Sequence, residues 1–161
     1  MLRFHELRAA TLALLTVILC LNTSVANPSP QMRASIIGTW TGESICFGKR
    51  PACKDEVVVY RFEEVPGKPD QFTLFGDKII KGKREPMGKL EFQQDQTTGL
   101  YSCEFRVGRT HGLIQLKLTG NTMQGTLVVL PGKKEGRRIK VKRVKEEQVP
   151  PAPARESYGA A

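Results

Sequence analysis

Alternation of apolar and polar residues with a period of two constrains this fold more than any other feature. Residues 113–118 (LIQLKL) place three apolar side chains on one face, with Gln115 and Lys117 on the other. Because successive side chains of a strand point to opposite faces, such runs predict half-buried β-strands. Similar runs occupy 57–62, 89–93, 100–107 and 138–142.

Turn-forming residues separate these runs at intervals of about ten residues. Short strands at this spacing, without helices long enough for a crossover, indicate antiparallel hairpins. We therefore predict an all-β fold, a small antiparallel up-and-down β-barrel of about eight strands. Closing the sheet removes its exposed edges. The turn signals are Pro66-Gly67-Lys68-Pro69, Gly76-Asp77, Lys81-Gly82-Lys83, Pro86-Met87-Gly88, Thr97-Thr98-Gly99, Gly120-Asn121 and Pro131-Gly132.

The first 26 residues predict a secretory signal peptide. Arg3 and Arg8 precede the apolar residues 9–21, and Ser24 and Ala26 are small residues of the kind that a signal peptidase accepts. The apolar run is too short to cross a hydrocarbon core about 30 Å thick. We expect cleavage near Ala26, and a secreted or periplasmic product with no transmembrane span. An uncleaved membrane anchor is the alternative.

Polar and proline-rich segments at both ends of the remaining chain predict loose termini. Residues 27–34 are expected to form a flexible leader. Residues 146–161 contain three prolines and few apolar groups, so burial could not offset the entropy of ordering them. We therefore predict a β-barrel domain over 35–145 and a disordered Pro-rich tail over 146–161.

The three cysteines after residue 26 suit an oxidising compartment. Cys46 and Cys53 bracket the link between the first two predicted strands, where a disulfide stabilises the fold by about 2.5 kcal/mol in a loop-entropy estimate. We favour this pair, and Cys46–Cys103 is the alternative because Cys46 shares strand parity with Trp40. Only one histidine, His111, follows residue 26, and the sequence has no C-x-x-C pair. We predict no metal site and no cofactor.

Candidate catalytic groups are few. His111 lies at a turn between two predicted strands, whereas Cys103 is expected to face the core, so they do not form a nucleophile–base pair. The acidic pairs Asp55-Glu56 and Glu63-Glu64 are typical of charges at strand ends rather than of glycosidase carboxylates. The sequence contains no P-loop, dinucleotide fingerprint or nucleophile elbow. We predict that the protein is not an enzyme.

Residues 131–145 (PGKKEGRRIKVKRVK) carry most of the net charge of +9. A basic surface of this kind attracts polyanions by long-range steering. It therefore predicts binding to an anionic envelope component or an acidic protein, and the alternative is a solvated strand whose lysines discourage edge pairing. Nucleic acid is not favoured, because the segment has no aromatic residue to stack on a base. The candidate residues are Arg137, Arg138, Lys140, Lys142 and Arg143, of which Arg138, Lys140 and Lys142 would form a ladder on one strand face.

The tripeptide Gly38-Thr39-Trp40 at the start of the first strand, followed by a meander of strands, resembles the lipocalin-like (calycin) barrels. Arg143 near the end of the last strand is similar to the arginine that packs over the tryptophan at the closed end of those barrels. The resemblance covers residues 36–144 and implies that Trp40 and Arg143 close one end. The chain is shorter than true lipocalins and lacks a recognisable C-terminal helix, which argues against a large cavity.

Three functions follow from these features. The first is non-catalytic binding of a small apolar or amphipathic ligand inside the barrel, although bulky residues could instead fill a core without ligand. The second is binding of an anionic partner by the basic segment. The third is enzyme inhibition by the 46–53 loop, with Lys49, Arg50 and Pro51 presented as a plug. The candidate lining residues for the first function are Trp40, Tyr60, Phe62, Phe92, Tyr101 and Phe105.

Overall fold

A computed structural model describes residues 35–48 and 51–159. The predicted signal peptide and leader, together with Lys49 and Arg50, lie outside the described residues. Eight antiparallel strands close into an up-and-down barrel in chain order, which confirms the predicted fold. Within the described residues we find no helix with the length and apolar character needed to cross a membrane. The strands are β1 Gly38–Cys46, β2 Glu56–Val65, β3 Lys68–Ile80, β4 Lys83–Gln94, β5 Leu100–Val107, β6 Thr110–Thr119, β7 Thr122–Val129 and β8 Lys134–Val144.

The barrel closes where β8 pairs with β1, and Trp40 lies opposite Arg143 in that pairing. Gly42 permits the close approach of these two strands, since a Cβ there would lie 2.2 Å from the carbonyl oxygen of Lys140. The inward faces predicted from the alternation form one hydrophobic core. Phe62 and Phe92 are each 1% exposed, and their rings pack edge to face with centroids 5.4 Å apart.

Two of the predicted turns lie inside long strands. Gly76-Asp77 and Pro86-Met87-Gly88 face each other across β3 and β4, where the register shifts at a bulge. Bulges and turns use the same residue types, because both need unusual backbone geometry. Pro86 lies in the part of β4 that pairs with β3 alone, so its missing N–H costs no bond to β5.

The wall of the barrel opens between β4 and β5. Their pairing is limited to Gln93 with Ser102 and Gln94 with Tyr101. Beyond these two pairs, the rest of β5 pairs with β6 on its other side. A lateral groove therefore runs along most of β5.

Residues 146–159 differ from the predicted disordered tail, because they lie against the outside of the barrel. Short 3-10 turns span Glu146–Gln148 and Arg155–Ser157. Tyr158 is only 6% exposed, and its ring packs edge to face on Phe75 with centroids 5.2 Å apart. The prolines alone predict disorder, but the ring of Tyr158 supplies the apolar burial that the rest of the segment lacks.

Candidate functional site

The two ends of the barrel are chemically different. At the end where β1 begins, which we call the closed end, Trp40 is fully buried and its Nε1 donates a 2.8 Å hydrogen bond to the carbonyl of Ile36. The guanidinium of Arg143 lies 4.2 Å from the centroid of the Trp40 ring and donates to the carbonyls of Ile37 and Ser35. This arrangement seals the closed end with the residue pair that the resemblance implied.

The opposite end, which we call the open end, contains a cavity of about 170 Å³. An apolar cavity of about 150 Å³ is large enough to bind benzene, whereas sites that enclose a whole small molecule measure about 300–1,000 Å³. This cavity therefore accommodates one ring or the end of a chain. Its apolar side chains are Leu74, Met87, Leu90, Phe105, Val107, Ile114, Leu127 and Ile139, and its polar ones are Ser44, Glu56, Tyr60 and Arg137.

A polar cluster around Arg137 forms one side of this cavity. The Nε of Arg137 donates to the hydroxyl of Ser44 at 2.7 Å, and its Nη2 donates to the carbonyls of Ser44 and Lys54, both at 2.8 Å. The same Nη2 lies 2.8 Å from a carboxylate oxygen of Glu56. Glu56 therefore neutralises Arg137, and the cluster offers polar atoms without a net charge.

Tyr60 adds a neutral hydroxyl to the polar cluster. Burial raises the pKa of Tyr60 to about 12, although its hydrogen bond with Ser44 and the charge of Arg137 lower it in part. The phenol therefore stays protonated at neutral pH. It can donate or accept a hydrogen bond without adding a charge to the cavity.

The lateral groove between β4 and β5 continues the cavity to the side. It measures about 610 Å³ and is lined by residues from 89–91 and 103–106. Leu90 and Phe105 line both spaces. The position of Phe105 depends on Gly112, since a Cβ on that glycine would lie 2.6 Å from the ring. A chain that enters the cavity could therefore extend into the groove.

The structure divides the six predicted lining residues into two groups. Tyr60 and Phe105 line the cavity. The other four do not line the cavity and instead form part of the packed hydrophobic core: Trp40, Phe62, Phe92 and Tyr101. The remaining lining residues were not predicted as such, because the prediction considered only aromatic side chains. Val107 and Ile114 were identifiable from strand parity, since they share an inward face with Phe105 and Leu116, whereas no sequence signal marks Met87.

The predicted basic surface is also divided. Arg138, Lys140 and Lys142 are exposed along β8, as the predicted ladder requires. Arg137 and Arg143 have the opposite parity and are bonded within the barrel, so they do not belong to that surface. The guanidinium of Arg138 itself binds Glu135 at 2.6 Å and lies 4.4 Å from the Phe47 ring centroid.

The cysteines take the predicted pairing. Cys46 and Cys53 form a disulfide, and Cys103 is free and buried, which excludes the alternative Cys46–Cys103 pair. Burial raises the pKa of the Cys103 thiol to about 11, with a further contribution from the charge of Glu91. The thiolate, which is the nucleophilic form, is therefore scarce at neutral pH. The plug residues Lys49 and Arg50 are not described, so inhibition by that loop stays a prediction.

His111 lies in β6 rather than at a turn. Its Nε2 contacts a carboxylate oxygen of Glu104, which has the opposite strand parity to Cys103 and so faces away from it. Over residues 35–48 and 51–159, no group of three or more His, Cys, Asp or Glu side chains could hold a metal ion. The cavity therefore remains the main candidate site.

These features define a closed eight-stranded antiparallel barrel that is sealed at one end by Trp40 and Arg143 and has a small apolar cavity at the other. The architecture is compatible with a lipocalin-like fold. No protein-family model matches the chain, and no curated protein matches it either.

Proposed function

We propose that the protein is a secreted, non-catalytic binding module that takes one ring or the chain end of a small amphipathic ligand into the open-end cavity. The observation that carries this proposal is the cavity of about 170 Å³ with apolar walls and a neutral polar cluster on one side. Apolar walls with a few placed polar groups are typical of small-molecule sites. The cavity can hold only part of a larger ligand, so the remainder lies in the lateral groove or outside.

The Trp40–Arg143 seal and the strand order support placing this barrel with the lipocalin-like proteins. Fold alone does not determine function, because one fold hosts many activities. The proposal therefore depends on the cavity and not on the resemblance.

A substitution at Gly76 tests the proposal directly. Gly76 lines the cavity, and a Cβ there would lie 3.7 Å from the nearest atom, Met87 Cε, which is ordinary contact. Gly76→Val thus fills the cavity without a severe clash. We expect it to abolish binding of anilinonaphthalene sulfonate and to leave the melting temperature unchanged or raised. Thr126→Val is the control, since Thr126 does not line the cavity.

Native mass spectrometry of the secreted protein identifies the ligand class. A mass that is lost on denaturation, and that Gly76→Val no longer carries, supports the proposal. Equal probe binding by Gly76→Val and the unaltered protein contradicts it, because the cavity is then not the site.

The exposed ladder supports a second candidate, which is binding of an anionic partner on the barrel wall. Lys140 and Lys142 are exposed, and their β7 neighbours are the uncharged Gln124 and Thr122. On the β1 side Lys142 faces the uncharged Thr41 and Lys140 faces Glu43, so Arg138 and Lys142 are the ladder positions without a directly paired acid across the strands. Replacing Arg138, Lys140 and Lys142 by Ser is expected to weaken retention on heparin and to reduce its salt dependence. An unchanged salt dependence rejects this candidate.

A further inference from the structure

The open end of the barrel carries a concentration of positive charge. Three hairpins at this end, spanning 81–83, 106–109 and 133–134, contain six exposed basic residues and no acidic ones. Five acids lie at the same end, and each has a partner outside these six basic residues: Asp55 accepts from the backbone N–H of Cys46, Glu56 pairs with Arg137, Glu85 with Lys78, Glu104 with His111 and Glu135 with Arg138. The six basic residues are Lys81, Lys83, Arg106, Arg109, Lys133 and Lys134.

The closed end has the opposite character. The hairpin between β2 and β3 and the loop between β4 and β5 carry four acids and one base. Charge is therefore segregated along the barrel axis, with the positive end surrounding the mouth of the cavity. The residues of that hairpin and loop are Glu63, Glu64, Lys68, Asp70 and Asp95. The end of β8 adds Arg143, Lys145, Glu146 and Glu147, and Arg155 binds Glu63, so the acidic excess of this end is small.

Large apolar side chains are exposed at the same open end. Six of them, within the part of the chain that the structure describes, are between 36% and 50% exposed. Five lie within two residues of a strand terminus at the open end, and Met87 lines the cavity there. Exposed apolar groups clustered with charge mark an interaction surface rather than scattered surface residues. The six are Ile45, Phe47, Val57, Ile80, Met87 and Val107.

We infer that the open end docks on an anionic lipid surface. A soluble polyanion would use the basic residues but leave the apolar side chains in water. An anionic bilayer interface uses both, because headgroups attract Lys and Arg while apolar side chains enter the acyl boundary. This docking goes beyond the proposed function, since it does not require the cavity to bind a ligand. It would place the mouth of the cavity and the lateral groove against the source of amphipathic molecules.

Vesicle sedimentation tests the inference. The protein is mixed with vesicles of phosphatidylcholine alone, or with vesicles in which about a third of the lipid is phosphatidylglycerol. We expect binding only to the second set. Replacing Arg109, Lys133 and Lys134 by Gln should weaken that binding about a hundredfold, since each basic residue near an anionic surface contributes about fivefold.

A matched control separates the open end from the rest of the barrel. Replacing Lys68, Lys117 and Lys145 by Gln removes the same number of charges from exposed positions outside the open end and outside the ladder. We expect this variant to retain most of its vesicle binding. Equal losses in the two variants, or no binding of the unaltered protein to anionic vesicles, would overturn the inference.

An apolar variant separates lipid from soluble polyanions. The double substitution Phe47→Ser with Val107→Ser keeps every charge but removes two exposed apolar side chains. We expect about tenfold weaker binding to anionic vesicles, with unchanged retention on heparin. Unchanged vesicle binding would show that only charge is recognised, which would overturn the lipid surface as the partner. Circular dichroism confirms that each variant is folded.

Discussion

The phenol of Tyr158 donates a 2.6 Å hydrogen bond to the carboxylate of Asp77, 81 residues earlier in the chain. Arg84 binds the other oxygen of Asp77 through Nε at 2.7 Å, and its Nη1 lies 2.6 Å from Glu146. The side chains of Asp77 and Arg84 are fully buried. Because an unpaired buried charge is costly, the segment that covers them is part of the folded unit.

Removing the Tyr158 hydroxyl should destabilise the fold without unfolding it. Tyr158→Phe keeps the ring on Phe75 but removes a hydrogen bond to a buried charged group, which corresponds to about 1.5–3 kcal/mol. Urea unfolding measures the difference, and Ser157→Ala at an exposed neighbouring position is the control. A midpoint equal to that of the unaltered protein would show that the segment does not cover Asp77 in solution.

The stability of the protein should fall at low pH in part through Glu146. Burial alone would raise its pKa, but hydrogen bonds from Thr39 and Arg84 and the charge of Arg84 hold the pKa below its ordinary value of 4.5. A carboxyl group whose pKa is lower in the folded state stabilises the fold above its unfolded pKa. That contribution is lost as the pH falls through the folded value.

Glu146→Gln should therefore reduce the loss of unfolding free energy between neutral pH and pH values below 4.5. Chemical denaturation at a series of pH values measures this change. Glu147→Gln is the matched control, since Glu147 is the exposed neighbour in the same turn. Identical pH profiles for the two variants would rule out a role for the Glu146 contacts.

The contact of Arg143 with Trp40 at the closed end should contribute more to the free energy of unfolding than the similar contact of Arg138 with Phe47 at the surface. Arg143→Met removes the cation over Trp40 and two hydrogen bonds to backbone carbonyls, for an expected loss of about 2–4 kcal/mol. Arg138→Met removes the cation over exposed Phe47 and should cost under about 1 kcal/mol. Urea unfolding followed by fluorescence reports both, because Trp40 is the single tryptophan. Equal costs would contradict a sealing role for Arg143.

Local periodicity was enough to predict the strands and their inward faces. Ile114, Leu116 and Leu118 face inward because alternate side chains of a strand share a face, and the barrel surrounds that face. The Cys46–Cys53 pair was predictable for a similar reason, since both residues bracket one short link. Each of these inferences depends on residues that are close in sequence.

Features that depend on distant pairing were not predictable. Gly76 and Pro86 serve a bulge rather than turns, and only the register between β3 and β4 decides between the two. Phe92 and Phe105 are both inward aromatics, yet one is packed in the core and the other lines the cavity. The parity of a residue within its strand predicts whether it faces the interior of the barrel. Its position along the barrel axis, in contrast, follows from the register of all eight strands.

The Cys103 thiol should be unreactive in the folded protein. Its pKa is about 11 in the fold against an ordinary value of 9.0. At any pH below 9.0, the thiolate fraction of Cys103 is therefore about a hundredfold smaller in the folded protein than in an unperturbed cysteine. We expect correspondingly slow alkylation by iodoacetamide at mildly alkaline pH, measured on the Cys103 peptide by mass mapping. The same peptide from protein unfolded in urea is the control. Rapid alkylation of the folded protein would mean that the lateral groove opens enough to expose the thiol.

Two equivalent substitutions should separate the lining of the cavity from the core. Phe92→Leu alters a residue that is 1% exposed and packed on Phe62, so it should lower the free energy of unfolding by about 1 kcal/mol and leave ligand binding intact. Phe105→Leu alters a partly exposed wall of the cavity. It should weaken anilinonaphthalene sulfonate binding about tenfold, with little effect on stability. Urea unfolding and probe titration of both variants measure the two effects. A loss of probe binding in Phe92→Leu alone would contradict the open-end cavity as the ligand site, because the probe would then bind in the closed half of the barrel.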